Sequence, residues 1–410
     1  MNRLRHFIIS LLLTLATSLG LAAQTPDPSQ ISVGIVTCYP GTKIFELEGH
    51  SALHIVSPGG DYAVSYGLFS FDQPNFVYRF VKGETDYRVG LIPWHYFLQE
   101  YRGAGRRVVE QRLNMTPEQK QRLMALLEEN LRPENVTYRY NYVRDNCATR
   151  PLAIVEKALG DSIILSADTA SGVGDEDATF RNMMRRYHRN YPWYQFGIDL
   201  CLGPGIDARL NNRERAFAPV VMDSQLAGAT VGGKPLVDST IVINDTDPEA
   251  AVAPPTPWYL TPLCAFSLLL LISLIITIRD IRRGRVTRWF DTVLFGAYAL
   301  MGVIVFYLVT ISSHEATTPN WLLVSLNPLC LIAAVGEWIK RAEKLVVWYQ
   351  IINFALLLLL VLCWGLTGQS ANAAFWPMIA AEMLRSASYV IINRKHTPRN
   401  DNKIDKKKRT

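Results

Sequence analysis

The stretch Trp258–Ile278, WYLTPLCAFSLLLLISLIITI, runs directly into Arg279–Arg288, RDIRRGRVTR. The first part carries no charge and has the length of about 20 residues that a helix needs to cross a bilayer. The second carries five arginines, the mark of a cytoplasmic loop. Four further apolar stretches follow: Phe290–Ile311, Trp321–Ile339, Leu345–Leu366 and Phe375–Ile392. The third contains Asn327, Pro328 and Glu337, which neighbouring helices can satisfy inside a bundle. The pattern predicts an all-α transmembrane bundle of five helices over residues 258–392.

The connectors alternate in charge. The third loop, KRAEK, has three basic residues and the tail after Ile392 has eight, whereas SSHEATTPN and TGQSANAA have none. Basic loops stay inside. The loop holding His314 and everything before Trp258 are therefore expected outside, with residues 393–410 as a cytoplasmic tail. Sixteen of the lysines and arginines lie in those loops and the tail, so the formal charge of +6 follows from topology and does not call for nucleic acid.

The N-terminus agrees with this orientation. Arg3 and Arg5 precede an apolar run from Phe7 to Leu21, and the small residues Ala22 and Ala23 close it. This reads as a secretory signal over residues 1–23. Residues 24–222 form the exported domain, and residues 223–257, rich in Gly, Pro, Asp and Thr, read as a linker with one small hairpin at Gly232-Gly233.

Within the exported domain, Ile31–Thr37 reads as a buried strand, and His50–Ser57 with Asp61–Tyr66 as a hairpin about Gly59-Gly60. Asp86–Ile92, Arg107–Leu113 and Val136–Val143 are further strands. Thr116-Pro117-Glu118-Gln119 opens a helix with a capping box. A second helix, capped by Asp145 or Asn146, stops at Gly160. The mixture predicts an α+β domain.

Chemistry concentrates at two places. Cys147 stands at a strand-to-helix junction in Tyr-Val-Arg-Asp-Asn-Cys-Ala-Thr-Arg. A helix N-terminus favours thiolate, and Arg144 and Arg150 would add to the field. Its amides could also hold an oxyanion. The competing reading is a small residue filling a junction. His50 opens a strand in Glu-Gly-His-Ser-Ala-Leu-His, sharing one face with Ala52 and His54. A strand-start His can meet a helix-start Cys, the pair used by thiol hydrolases. His54 reads as structural. Zinc on the two histidines would need further ligands, and no metal or cofactor is expected. Cys38, Cys147 and Cys201 make an odd number of exported thiols, so at least one has no intrachain partner. A Cys38–Cys201 bridge and free thiols are both open.

Taken together, GHSALHIV and YNYVRDNCATR resemble the circularly permuted papain-like hydrolases of the NlpC and lecithin:retinol acyltransferase kind, in which His precedes Cys. The whole chain resembles something narrower, the Lnb family of bacterial lipoprotein N-acyltransferases. That likeness runs through Gly49-His50, Gly67–Asp72, Pro74–Phe76, Tyr140–Arg150, Pro192-Trp193, Phe196–Asp199, Ser313–Glu315 and Asn327-Pro328. Where relatives can carry Asn before Gly-Leu-Phe, this chain has Ser65-Tyr66, which leaves the imidazole-orienting residue open.

The resemblance implies an enzyme of the bacterial inner membrane with its catalytic domain in the periplasm. It would move a fatty acyl chain from a membrane phospholipid to the N-terminal Cys amine of diacylated lipoproteins through a thioester. Cys147 would be the nucleophile and His50 the base, with Asp145, Asn146, Arg150 and His314 in support. Rival readings are a phospholipase or peptidoglycan peptidase on the same scaffold, and a non-enzymatic membrane sensor.

Overall fold

The computed structural model describes residues 27–396; the expected signal segment and the tail past residue 396 lie outside them. Five strands match their sequence signals closely: β1 (Ser32–Cys38), β2 (His50–Ser57), β3 (Gly60–Leu68), β4 (Asp86–Pro93) and β5 (Val108–Leu113). The Val136–Val143 strand shrinks to β6 (Thr137–Arg139), because the chain turns at Asn141 to form the loop that carries Cys147.

Two short strands, β7 (Thr230–Val231) and β8 (Lys234–Pro235), form the expected hairpin at Gly232-Gly233. The rest of the expected linker is corrected. Val237–Asn244 is a strand, β9, paired antiparallel with β5. Val237, Ser239, Ile241 and Ile243 alternate half-buried against exposed neighbours. β9 thereby covers the backbone edge that β5 would otherwise expose. The seven-stranded antiparallel sheet runs β6-β4-β3-β2-β1-β5-β9.

Helices cover both faces of the sheet. α1 (Phe76–Lys82) lies beyond the end of β3, and α2 (Trp94–Gly103) packs Phe97 and Tyr101 against Val36, Ala52 and Ala63. α3 (Pro117–Leu131) starts with the expected capping box, both bonds present, and buries Leu123 and Leu127. α4 (Thr149–Leu159) ends at Gly160, whose φ of 74° suits a residue without a Cβ. α3 and α4 face Ile35, Leu53, Ile55 and Val64 on the other side of the sheet. Burying one such Leu is worth about 1.5–3 kcal/mol.

Three more helices, α5 (Phe180–Tyr187), α6 (Pro192–Cys201) and α7 (Pro219–Leu226), complete the domain. Arg181, fully buried, binds Asp199, Asp207 and two carbonyls, and so fixes α5 to α6. Phe196 and Leu200 of α6 sit in the core of the helical bundle.

The bundle consists of α8 (Pro262–Arg283), α9 (Arg288–Thr310), α10 (Leu331–Gly336), α11 (Glu343–Cys363) and α12 (Phe375–His396). α8, α9 and the segment containing α11 are each long and apolar enough to cross a membrane. α12 matches them in length and carries Glu382 and Arg385 fully buried. The third expected span is broken. Short 3-10 turns at Trp321–Val324 and Pro328–Cys330 precede α10. Asn320 and Asn327 cap those turns, and Pro328 has no N–H to continue a helix. Arg385 meets Asp291 at 2.6 Å and Asp280 at 2.8 Å, tying α12 to α9 and α8.

The two halves interlock. Ser313 N donates to Lys82 O, Ser312 Oγ to Val81 O and His314 Nε2 to Phe80 O, each at 2.8 Å, so the loop after α9 holds α1. Asn320 donates to Leu200 O at 2.9 Å, and Asn372 to Asp199 at 2.8 Å.

Candidate active site

Cys147 and His50 are far apart in sequence, and the fold brings their segments into contact. Ser51 Oγ, next to His50, donates to the Cys147 carbonyl at 2.6 Å. On the neighbouring strand, Gly67 has φ 84°, and a Cβ there would lie 3.8 Å from Cys147 Cβ and 3.1 Å from the Tyr140 ring. The positive φ accounts for glycine there, and a Cβ would also press tightly on the Tyr140 ring.

His50 begins β2 opposite Cys38. Its Nε2 lies 2.9 Å from Ser65 Oγ, and its ring stacks beside Tyr101. Ser65 belongs to the dipeptide at which the imidazole-orienting residue stayed open in the sequence; it is the side chain that holds the ring. Burial, with the Arg106 cation adding to it, lowers the His50 pKa to about 4, so the ring is neutral near pH 7. In the tautomer where Nε2–H donates to Ser65 Oγ, Nδ1 is the nitrogen that can accept a proton. Cys147 is not among the hydrogen-bond partners of His50 at rest; such contacts commonly tighten only when substrate binds.

The expected thiolate field is not what surrounds Cys147. The helix begins at Thr149, so Cys147 precedes its cap, Ala148. Asn146 Oδ1 takes the Ala148 and Thr149 amides at 2.8 and 2.9 Å, and its amide donates to Tyr142 O and Phe217 O. Asn146, rather than Asp145, therefore caps this turn, and those two amides are not free for an oxyanion. The arginines are also compensated. Arg150 forms a two-bond pair with Asp145, at 2.8 and 2.6 Å, and lies over Tyr138. Arg144 meets Glu315 at 2.8 Å.

Burial consequently dominates at the sulfur. It raises the Cys147 pKa to about 11, while the Ser51 amide, the Tyr140 hydroxyl and the residue's own amide pull the other way. The resting pair is a neutral thiol and a neutral imidazole.

His314 lies at α1, where its Nε2 holds the Phe80 carbonyl at 2.8 Å. Its neighbour Glu315 is nearer the chemistry, holding Asn141 and Arg144 of the Cys147 loop. Glu48 was missed in the sequence. It binds His188 Nε2 at 2.8 Å and also meets the Tyr142 hydroxyl, and its charge works against a Cys147 thiolate. His188 passes the contact on to Gln195 at 2.7 Å. The adjacency in Glu48-Gly49-His50 was the available signal.

Cys38 and Cys201 are free thiols. Cys38 is buried in the sheet against α2, and Cys201 packs on the bundle core, so they occupy separate clusters.

Residues 21–185 match the family model described as the Lnb N-terminal periplasmic domain, and residues 255–397 match the one described as the Lnb transmembrane domain. No curated protein and no solved structure matches. The chain belongs to the Lnb family and is a lipoprotein-modifying membrane enzyme of the Lnb type.

Proposed function

On the premise of Lnb membership, we propose that this enzyme is an N-acyltransferase. It takes a fatty acyl chain from a membrane phospholipid and delivers it to the α-amine of the N-terminal Cys of diacylated lipoproteins. The observation that carries this reading is a buried thiol at a helix entrance, contacting the strand end that bears a neutral His, on a domain locked to membrane helices.

Because thiol and ring are both neutral at rest, the first step is general-base catalysis and not attack by a preformed thiolate. Sulfur attacks the ester carbonyl carbon as His50 Nδ1 accepts the thiol proton. Cys147 N–H and the Tyr140 hydroxyl stabilise the oxyanion. The intermediate then expels the lysophospholipid alkoxide, which takes the proton from His50, and an acyl thioester remains. In the second half the lipoprotein amine attacks the thioester carbonyl, its proton passes to His50, and the C–S bond breaks. The leaving sulfur recovers the proton. Ser65 and Asn146 are positioning residues, one for the imidazole and one for the Cys147 turn. Arg150, Asp145 and His314 maintain the surrounding structure. No cofactor enters the balance.

The basic loops argue for the cytoplasmic membrane, with the domain on its outer, periplasmic side. A reporter fused near Thr317 should read as exported and one after Arg283 as cytoplasmic; the reverse would sink this orientation.

The decisive measurement is mass spectrometry of lipoprotein N-termini in cells carrying the wild type or Cys147→Ser. Wild type should yield triacylated lipoproteins and a hydroxylamine-releasable acyl thioester when given phospholipid without acceptor. Cys147→Ser should yield neither. Free fatty acid as the sole product would point to a phospholipase instead.

A further inference from the structure

An aromatic path leads from Cys147 to the membrane-facing rim of the domain. Tyr140 and Cys147 flank the same point at Gly67, 3.1 and 3.8 Å from where its Cβ would lie, and Tyr140 stacks on Tyr87 with ring centroids 4.3 Å apart. Tyr87 lies 5.3 Å from Phe69. Phe69 meets Phe71 at 5.0 Å and Phe76 at 5.8 Å, and Phe76 continues to Phe80 at 6.0 Å. Every step is within aromatic contact distance.

The outer end of the path is exposed in a way a water-facing surface rarely is. Phe71 is 64% exposed, Val77 74%, Tyr78 56% and Phe80 50%. Contiguous exposed apolar surface of this kind marks a binding or membrane surface. Its location says which. α1, which carries Val77, Tyr78 and Phe80, is held by hydrogen bonds from Ser312, Ser313 and His314 in the loop at the exported end of α9, and Tyr78 lies 6.5 Å from Tyr307 of α9. The surface is thus continuous with the membrane-spanning bundle, at the level where aromatic side chains favour the bilayer interface. Lys82 and Arg79 pair with Glu84 and Asp86, so their charges are compensated beside the apolar side chains.

We propose that this strip is the entry for a phospholipid acyl chain, which leaves the bilayer along Phe80, Phe76 and Phe71 and reaches Cys147 past Phe69, Tyr87 and Tyr140. The proposal rests on the acyl-transfer reading for its destination. It assigns the acyl path to the exported domain and not to the interior of the helical bundle.

The test uses the full chain in nanodiscs doped with a phospholipid bearing a diazirine at its acyl terminus. Photocrosslinks should map to the Phe69–Phe80 segment. The doubly substituted Phe71→Ser, Phe80→Ser chain should lose roughly tenfold in crosslink yield there, since two large apolar contacts with the chain are removed. Ile164→Ser, an exposed apolar residue elsewhere on the domain, should crosslink as wild type does. Crosslinks confined to the bundle, or wild-type yield in the double variant, overturn the proposal, as does capture of this face by a second copy of the chain. Wild-type protein that crosslinks here but never forms a Cys147 thioester would fail the acyl-transfer reading and leave the lipid-contact surface standing.

Discussion

The start and the middle of β2 carry the same residue type on the same face of the sheet and hold it in opposite states. At the start, His50 meets a serine hydroxyl and an aromatic wall, and burial keeps its pKa at about 4. Four residues on, His54 lies between Glu110 at 2.8 Å and Asp61 at 2.7 Å, with its ring stacked 3.8 Å from Trp94. Burial opposes its charge too, but the two carboxylates prevail and raise its pKa. One ring is a neutral proton acceptor; the other sits in a structural bridge between β2, β3 and β5, where two carboxylates favour its protonated form. Desolvation alone does not decide what a buried histidine does; its hydrogen-bond partners do.

The sharpest way to break the comparison is substitution at each position. His50→Ala should cut acyl transfer by about 10²–10⁴-fold, the range for loss of a positioned proton carrier, with thermal stability little changed. His54→Gln should do the reverse. Losing charge-assisted bonds to Glu110 and Asp61 should lower unfolding free energy by about 1.5–3 kcal/mol, while turnover per folded molecule stays near wild type. Activity that collapses in His54→Gln and survives in His50→Ala would exchange the assigned roles.

A smaller effect is expected at Ser65. Ser65→Ala removes the hydroxyl that fixes the His50 ring, and the loss of one hydrogen bond of about 1.4 kcal/mol would slow thioester formation roughly tenfold. Ser65→Thr, which keeps the hydroxyl, should recover most of the rate. Equal loss in both variants would mean that packing, not ring orientation, is at stake.

The two histidines should also separate by pH. Thioester formation by wild type should have its acid limb near pH 4, where His50 gains a proton and can no longer accept one. A limb near the usual histidine value of about 6.5 would contradict the buried, neutral ring. For His54 the linkage runs the other way. Its folded-state pKa is raised, so its stabilising contribution is complete below the unfolded value and is lost as pH rises through the folded value. The wild-type melting temperature should fall across that interval, and the slope should flatten in His54→Gln. This is the smallest of the expected effects, because only one group contributes to it.

Much of this architecture was legible because it rests on local rules. Hydropathy length placed α8, α9 and the segment containing α11, the three helices among the described residues long and apolar enough to cross a membrane, and loop charge gave their expected orientation, since the bilayer imposes both without regard to tertiary partners. Alternation and turn glycines placed β1 to β5, and the Thr116–Gln119 capping box appeared as written. One reading failed where a distant partner overruled the local signal, and one element changed its form. The linker concealed β9, whose reason for being a strand is the edge of β5. The third apolar segment is present but broken at Asn327-Pro328, where local caps replace helix continuation.

Sequence by itself determined which residues could do chemistry: a Cys at a strand-to-helix junction, a His at a strand start, and motifs specific enough to indicate the family. Tertiary structure decided their electrical state and their neighbours. Asn146 took the helix amides, Asp145 and Glu315 compensated the arginines, and burial left Cys147 protonated. It also supplied Ser65 as the imidazole partner and joined the Gly-Leu-Phe stretch to the membrane through α1. The reason is physical: hydrophobic period and loop charge act along the chain, whereas desolvation and hydrogen-bond competition depend on groups that meet only when it folds.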